Sequence, residues 1–490
     1  MRESDIRFSP CFAWRHVRRI GYGPWKPRIS GLFTLESLTP GHLENSLVPE
    51  SMEAPVKRQD AAADYLLECA LCGARYEDRA DQFLLSCPEP HGPSLLRAIY
   101  RVKKFVTHPE HTGVFRFFDW LPIRRKLPGA AGPVAFRSTA LGPFLGLDNL
   151  YVIFNGWWPE KGALMETCTF KELEAQAVCG RVVDGWRSSL VVSSAGNTAR
   201  AFHNACSRYE VPALLVVPGH SMPLLWSTAK THPGVRLAVL DGGADYADAI
   251  ELGNGIAATE GYYPEGGARN AARRDGMGTA LLAAVESSGR IPDHYFQAVG
   301  SGTGAIAAWE MNLRLQGDGR FGGGKMRLHL SQNTPFTPMT DAWEAGSRTL
   351  APAPDGRRLS RAIHARVLAN RNPPYSIAGG LYDALRDTDG FMYRVTNAQA
   401  RKAGRLFEKL EGCDIDPAAQ VACASLAQAA AMGRIARGDI VALNITGGGH
   451  RRLRRDRRIA LLRPYATFTL KTLRKEGPAR ELALLRAALA

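Results

Sequence analysis

The sequence predicts an α/β protein of two open, mainly parallel sheets with helices on both faces, preceded by a small zinc-ribbon-like module. Three observations lead there. Short apolar strands alternate with helical segments through residues 150–445. Three turns rich in small residues, at 194–198, 300–304 and 446–449, each follow a strand, where ligands gather in such folds. The spacing C-x2-C-x14-C-x3-H over Cys69, Cys72, Cys87 and His91 brings four candidate metal ligands into one short stretch.

Composition bounds the reading further. At 490 residues the chain divides into more than one domain, and 45% hydrophobic with 22% charged content is that of a globular protein. The formal charge of +15 sits largely in two places, +5 in residues 1–30 and +6 in residues 451–463. The middle is only mildly basic and has no aromatic-interleaved basic stripe, so no nucleic-acid partner is expected, while anionic small substrates fit. Nine scattered cysteines in no regular framework point to reducing cytoplasm. The most apolar run, 211–226, is broken by Pro212, Pro218, Gly219, His220 and Pro223, so no membrane partner is expected. No apolar stretch follows the N-terminal arginines to make a signal peptide.

Taken in order, residues 1–60 mix Trp, Pro, Gly and Arg without periodicity and read as a poorly ordered extension, with Met52 an alternative start. Residues 61–95 form the cysteine module. Its strand-like start at 65–67 precedes Cys69, and 83–87 is expected to return as a second strand; a two-stranded module without metal is the alternative. The core then occupies 96–490, opening with a helix-like lead-in after Leu95 and an aromatic segment over 113–122. Strands are expected at 150–154, 190–192, 213–217, 235–240, 295–299, 326–330 and 440–445. Between them lie helices at 171–177, from Thr198, from Tyr246, at 277–285, from Ala305, at 398–410 and at 417–434. A smaller subdomain is placed at about 180–290.

The strand ends carry the chemistry. Lys171 lies between small polar residues and a helix start, where burial and a nearby cation would keep its amine neutral and able to form an imine. A solvated lysine is the plain alternative. Gly300, Ser301, Gly302, Thr303 and Gly304 open a helix and offer backbone N–H groups to a phosphate, or else make a tight turn. Ser194, Ala195, Gly196, Asn197 and Thr198 offer N–H groups, hydroxyls and a carboxamide suited to a carboxylate and an aromatic hydroxyl, or else cap a helix through Asn197 or Thr198. Thr446 ends a strand and would meet a ring nitrogen, or is simply buried there. His450 and the arginines after it read as a solvated basic face.

In this order Lys171, S-x-G-N-T, G-S-G-T-G and the late Thr446 resemble the pyridoxal-phosphate enzymes of the tryptophan-synthase-beta type, fold type II. The cysteine segment and Phe115-Arg116-Phe117 through Leu121-Pro122 resemble their threonine synthase branch. Around the lysine the chain departs from that branch, whose N-P-T-G-S-F-K-D-R is replaced by Glu166-Thr167-Cys168-Thr169-Phe170-Lys171-Glu172-Leu173-Glu174. This variant is similar to the cysteate synthases, as are Phe154-Asn155-Gly156-Trp157-Trp158-Pro159-Glu160 and Pro264-Glu265-Gly266-Gly267-Ala268-Arg269-Asn270.

The resemblance implies pyridoxal 5'-phosphate as cofactor, a structural zinc on Cys69, Cys72, Cys87 and His91, and a homo-oligomer. It implies a β-replacement of the phosphate of O-phospho-L-serine by sulfite, through an aminoacrylate, giving L-cysteate. The alternative it leaves is threonine synthesis or a related reaction on another O-phosphorylated amino acid. It further implies Lys171 as the imine-forming lysine and base, Asn197 at the cofactor's ring hydroxyl, residues 300–304 at its phosphate and Thr446 at its ring nitrogen. Ser194, Ala195 and Thr198 are implied at the substrate carboxylate, with Arg116, Arg137 and Arg269 as unranked sources of positive potential.

Overall fold

The computed structural model describes residues 64–79, 83–194 and 196–471. The expected extension over 1–60 lies outside the described residues, as does Ala195.

Strands β1 (Tyr65–Cys69), β2 (Arg75–Glu77) and β3 (Leu96–Tyr100) form one antiparallel sheet in the order β2-β1-β3. Two expectations fail here. The segment after Leu95 is a strand, because Leu96, Ala98 and Tyr100 are buried with a period of two and pair with β1. Residues 83–87 are not a strand. Phe83 instead stacks on Trp186 at 5.5 Å, and its carbonyl accepts from the Tyr263 hydroxyl at 2.8 Å, so the start of the segment lies against the core rather than pairing with β1.

Beyond the module come β4 (Val134–Arg137), β5 (Asn149–Phe154) and helix α1 (Lys171–Arg181). Then follow β6 (Ser189–Ser193), α2 (Asn197–Arg208), β7 (Ala213–Pro218), β8 (Val235–Asp241), α3 (Tyr246–Ala257) and β9 (Tyr262–Pro264). The chain continues through α4 (Ala271–Ser288), β10 (His294–Ala298), α5 (Thr303–Asp318), β11 (Arg327–Asn333) and β12 (Phe391–Val395). Last come α6 (Asn397–Glu411), α7 (Pro417–Ala431), β13 (Ile440–Ile445) and β14 (Ala466–Thr469).

These strands build two sheets. The larger, β12-β11-β10-β13-β5-β4, is parallel except for β4 at its edge, and the smaller, β9-β6-β7-β8-β14, is parallel throughout. Strands β7 and β10 are buried at every position, as sheets covered on both faces require. The smaller sheet takes β14 from far outside 180–290, and α4 packs on α1 and α5. In consequence the carboxyl ends of β6, β10 and β13 and the start of α1 face a common region, tied together by the contacts described next.

Candidate active site

Lys171 is the first residue of α1, and the segment before it is pinned from both sides. Cys168 takes a left-handed φ of 52° and is buried, while Thr169 pairs with Gly447 in an isolated bridge. Phe170 N donates to the Thr446 carbonyl at 3.0 Å. The threonine after β13 is therefore fixed beside the lysine. Glu172 is buried too, and accepts from Thr167 N at 2.9 Å and its hydroxyl at 2.7 Å, which closes the turn.

The Lys171 side chain is largely buried. Its Nζ donates to Glu174 Oε2 at 3.1 Å, approaches Met277 Sδ at 3.5 Å and lies 4.5 Å from the Phe170 ring centre. Burial lowers the amine's pKa; Glu174 opposes that shift and Arg273 reinforces it. Glu174 is fully buried and accepts from Arg273 Nε at 3.1 Å, Arg273 Nη2 at 2.9 Å and Thr198 Oγ1 at 3.0 Å. Arg273 also donates to Glu265 at 2.5 Å.

The turn after β10 sits on the other side of Phe170. Gly302 caps α5 with φ of 77°, a conformation that favours glycine, and a Cβ at Gly304 would lie 2.8 Å from the Phe170 ring and 2.7 Å from Gln297. Bare backbone thus lies against Phe170, the residue before the lysine. Ser301 and Thr303 hydroxyls meet at 2.8 Å, and the N–H groups of this helix start carry the positive end of its dipole.

In the turn after β6 the Ser194 hydroxyl accepts from Gly196 N at 3.0 Å and Ala199 N at 2.9 Å. The helix is thus capped by Ser194 rather than by Asn197 or Thr198. The Asn197 carboxamide bonds to Asp416, whose other partner is His450 Nε2 at 2.6 Å. His450, read from sequence as part of a solvated face, is in fact anchored to the carboxylate that holds Asn197. The Thr198 hydroxyl is given to Glu174.

Sequence reasoning missed Glu174, Arg273, Asp416 and His450 in this group. Glu174 and Glu265 lay inside the two variant stretches, but nothing local showed that Arg273 joins them. The three arginines proposed for positive potential are placed otherwise. Arg116 is committed to Glu286 and the carbonyls of Gly113 and Pro133, Arg137 donates to the Asp148 carbonyl, and Arg269 is exposed.

A second cluster lies in the module. The ligand atoms of Cys69, Cys72, Cys87 and His91 fall within 4.8 Å of one another. Cys72 and Cys87 sulfurs are 3.8 Å apart, close to the edge of a tetrahedron with zinc–sulfur bonds of about 2.3 Å. His91 Nδ1 lies 2.7 Å from the Gly92 carbonyl, which turns Nε2 toward the sulfurs of Cys69 and Cys87 at 3.4 and 3.2 Å. Burial pushes the Cys69 thiol up, but hydrogen bonds from the backbone of Cys72 and Leu71 and from Ser94 bring it down to about 6. These donors fit zinc.

The first cluster likewise fits pyridoxal phosphate, on two features: a buried lysine whose amine is driven toward neutrality, and a glycine-rich helix start packed against the preceding Phe170. Comparison with known proteins agrees. The family profile of pyridoxal-phosphate dependent enzymes matches residues 160–447. The cysteate synthase of Methanosarcina acetivorans is 45% identical over 408 residues, spanning 83% of this chain and 97% of that protein. Those of Methanocella paludicola and Methanosphaerula palustris are 46% and 48% identical over 84% and 81% of this chain, and 95% and 92% of their own. Among solved structures, Escherichia coli diaminopropionate ammonia lyase with an aminoacrylate-PLP azomethine reaction intermediate shares the fold, with TM-score 0.50 and 16% identity over 67% of this chain and 88% of that one. The chain belongs to the pyridoxal-phosphate dependent enzymes and, within them, to the cysteate synthase family.

Proposed function

We propose that this enzyme replaces the phosphate of O-phospho-L-serine by sulfite, producing L-cysteate and phosphate. The observation that carries this reading is identity of 45–48% to cysteate synthases over nearly their whole length. Glu174 and Glu265, which lie in the stretches similar to the cysteate synthases, also meet at Arg273, next to the reactive lysine. Pyridoxal phosphate, when bound, supplies an aldehyde to the lysine and a ring that accepts electron density from the substrate Cα.

The protein's own residues do the rest. Lys171 would hold the cofactor, with N–H groups of residues 300–304 on its phosphate, Asn197 at its ring hydroxyl and Thr446 at its ring nitrogen. A threonine there carries no charge, which limits how far the ring draws electrons and favours elimination. In the reaction the freed Lys171 amine takes the proton from Cα. The electron pair left behind expels phosphate from Cβ. Sulfite then forms its S–C bond at Cβ, and Lys171 returns a proton to Cα.

With Thr198 engaged by Glu174, the substrate carboxylate falls to Ser194, Ala195 and the N–H groups at the start of α2. A homo-oligomeric state and a cytoplasmic setting belong to the same proposal, the latter supported by the free thiols at eight cysteines of the described residues. Among those residues no helix is long and apolar enough to cross a membrane. The test is mass spectrometry of products from purified enzyme. Phosphoserine with sulfite should yield cysteate and one phosphate per turnover. Threonine from phosphohomoserine, with no cysteate, would overturn the proposal in favour of a threonine synthase.

A further inference from the structure

Glu174 is anchored independently of the lysine it touches. Each of its oxygens accepts one N–H of Arg273, at 2.9 and 3.1 Å, and Oε1 also takes the Thr198 hydroxyl at 3.0 Å. A carboxylate has about four acceptor sites, so these three bonds fix its position and leave one direction, toward Lys171 Nζ at 3.1 Å. Both residues stand on α1, three positions apart, and the amine swings within reach of Glu174 whenever it is not covalently engaged. We propose that Glu174 is the holding position for the Lys171 ammonium, keeping the α proton in the site between its removal from Cα and its return.

The step balances as written above: the proton leaves Cα for Nζ, rests on the ammonium beside a fixed anion while phosphate departs and sulfite adds, and goes back to Cα. Without that anion the buried ammonium would keep only the weaker pull of Glu265 against burial and Arg273, and would lose its proton to water. The other charged groups acting on the amine are Arg273 from α4 and Glu265 from the turn after β9; the Tyr246 phenol from α3, which burial keeps protonated, acts on Arg273 and the two carboxylates. Arg273 offsets the pull of Glu174, so the amine is not locked in its charged form. Glu174 is a positioning residue in this account, since it touches the lysine and not the reacting carbon.

The inference rests on the proposed reaction only for where the proton goes; the coupling of the two side chains is testable without substrate. Cofactor-stripped full-length protein is mixed with pyridoxal phosphate across a pH series, and the growth of its visible band is followed. Capture needs the neutral amine, so the rate rises with pH through the lysine's pKa. In Glu174→Gln the midpoint should fall by at least about one unit, a roughly tenfold faster capture on the acid side of the wild-type midpoint. Glu174→Asp should restore most of the wild-type midpoint. An unchanged or raised midpoint in folded Glu174→Gln overturns the proposal. Wild-type enzyme gives a second test: single turnover of Cα-deuterated phosphoserine with sulfite in ordinary water should return a measurable share of deuterium to cysteate, and complete washout overturns proton retention. Failure to make cysteate at all would instead sink the reaction and leave the capture result standing.

Discussion

A lysine that must act as nucleophile, base and acid in one cycle needs a pKa that neighbours can move in both directions. Lys171 has that setting: burial and Arg273 push its pKa down, and Glu174 pushes it up. Lys171→Ala should therefore abolish both the visible band and any borohydride-reducible linkage, with kcat down by at least about 10³, read by absorbance and peptide mass spectrometry. A reducible adduct persisting in the variant would move the role to another lysine. At this scale much was legible, because Lys171 opens a helix and Asn197 and Thr446 follow strands, places where local sequence reveals a turn. Glu174 and Arg273 were not, since they meet only where α4 crosses α1, 99 residues on. Thr198 was assigned to substrate, but its hydroxyl has a partner that only the fold supplies.

Among the elements, the alternation of strands and helices was readable because strands buried on both faces are nearly continuous apolar runs. Strand β3 was not, because its partner β1 lies across the module and its own five residues carry too little pattern to tell strand from helix. The module is also tied to the lysine's helix. Arg181, in the last turn of α1, donates from Nε to Asp78 at 2.8 Å and from Nη1 to Asn270 at 2.7 Å, with both ions of the pair fully buried. Metal loss should thus reach the catalytic helix. Cys72→Ser is expected to drop zinc from one per chain to near none by elemental analysis. It should also lower Tm by about 2 °C, as a loss of ~2 kcal/mol would in a fold this size. Full zinc retention, or an unchanged Tm, would show that the module does not brace the core.

For the whole molecule, stability should depend on pH through histidines buried without charge. Burial holds His203 at about 4 and His329 at about 2, the latter helped by His294, which sits 2.9 Å from it. An unfolded histidine titrates near 6.5, so below that pH the unfolded chain binds protons that the native one does not, and stability falls as pH falls. Each group contributes up to ~1.4 kcal/mol per pH unit, between about 6.5 and 4 for His203 and on toward 2 for His329. Denaturant midpoints measured from pH 7 to 4.5 should drop steadily, and His203→Gln should flatten the slope. A flat profile in the wild type would mean that these rings are charged or exposed in the native state.

The strand order of the smaller sheet also has a consequence for synthesis on the ribosome. Strand β8 is complete at Asp241, but its outer neighbour β14 begins only at Ala466. At ordinary elongation rates the nascent chain waits roughly ten to forty-five seconds with the β8 edge uncovered. An uncovered edge invites pairing with another chain, so this interval is when a growing polypeptide has most need of a chaperone. Chains interrupted before residue 466 would keep that edge open for good and should collect in the insoluble fraction.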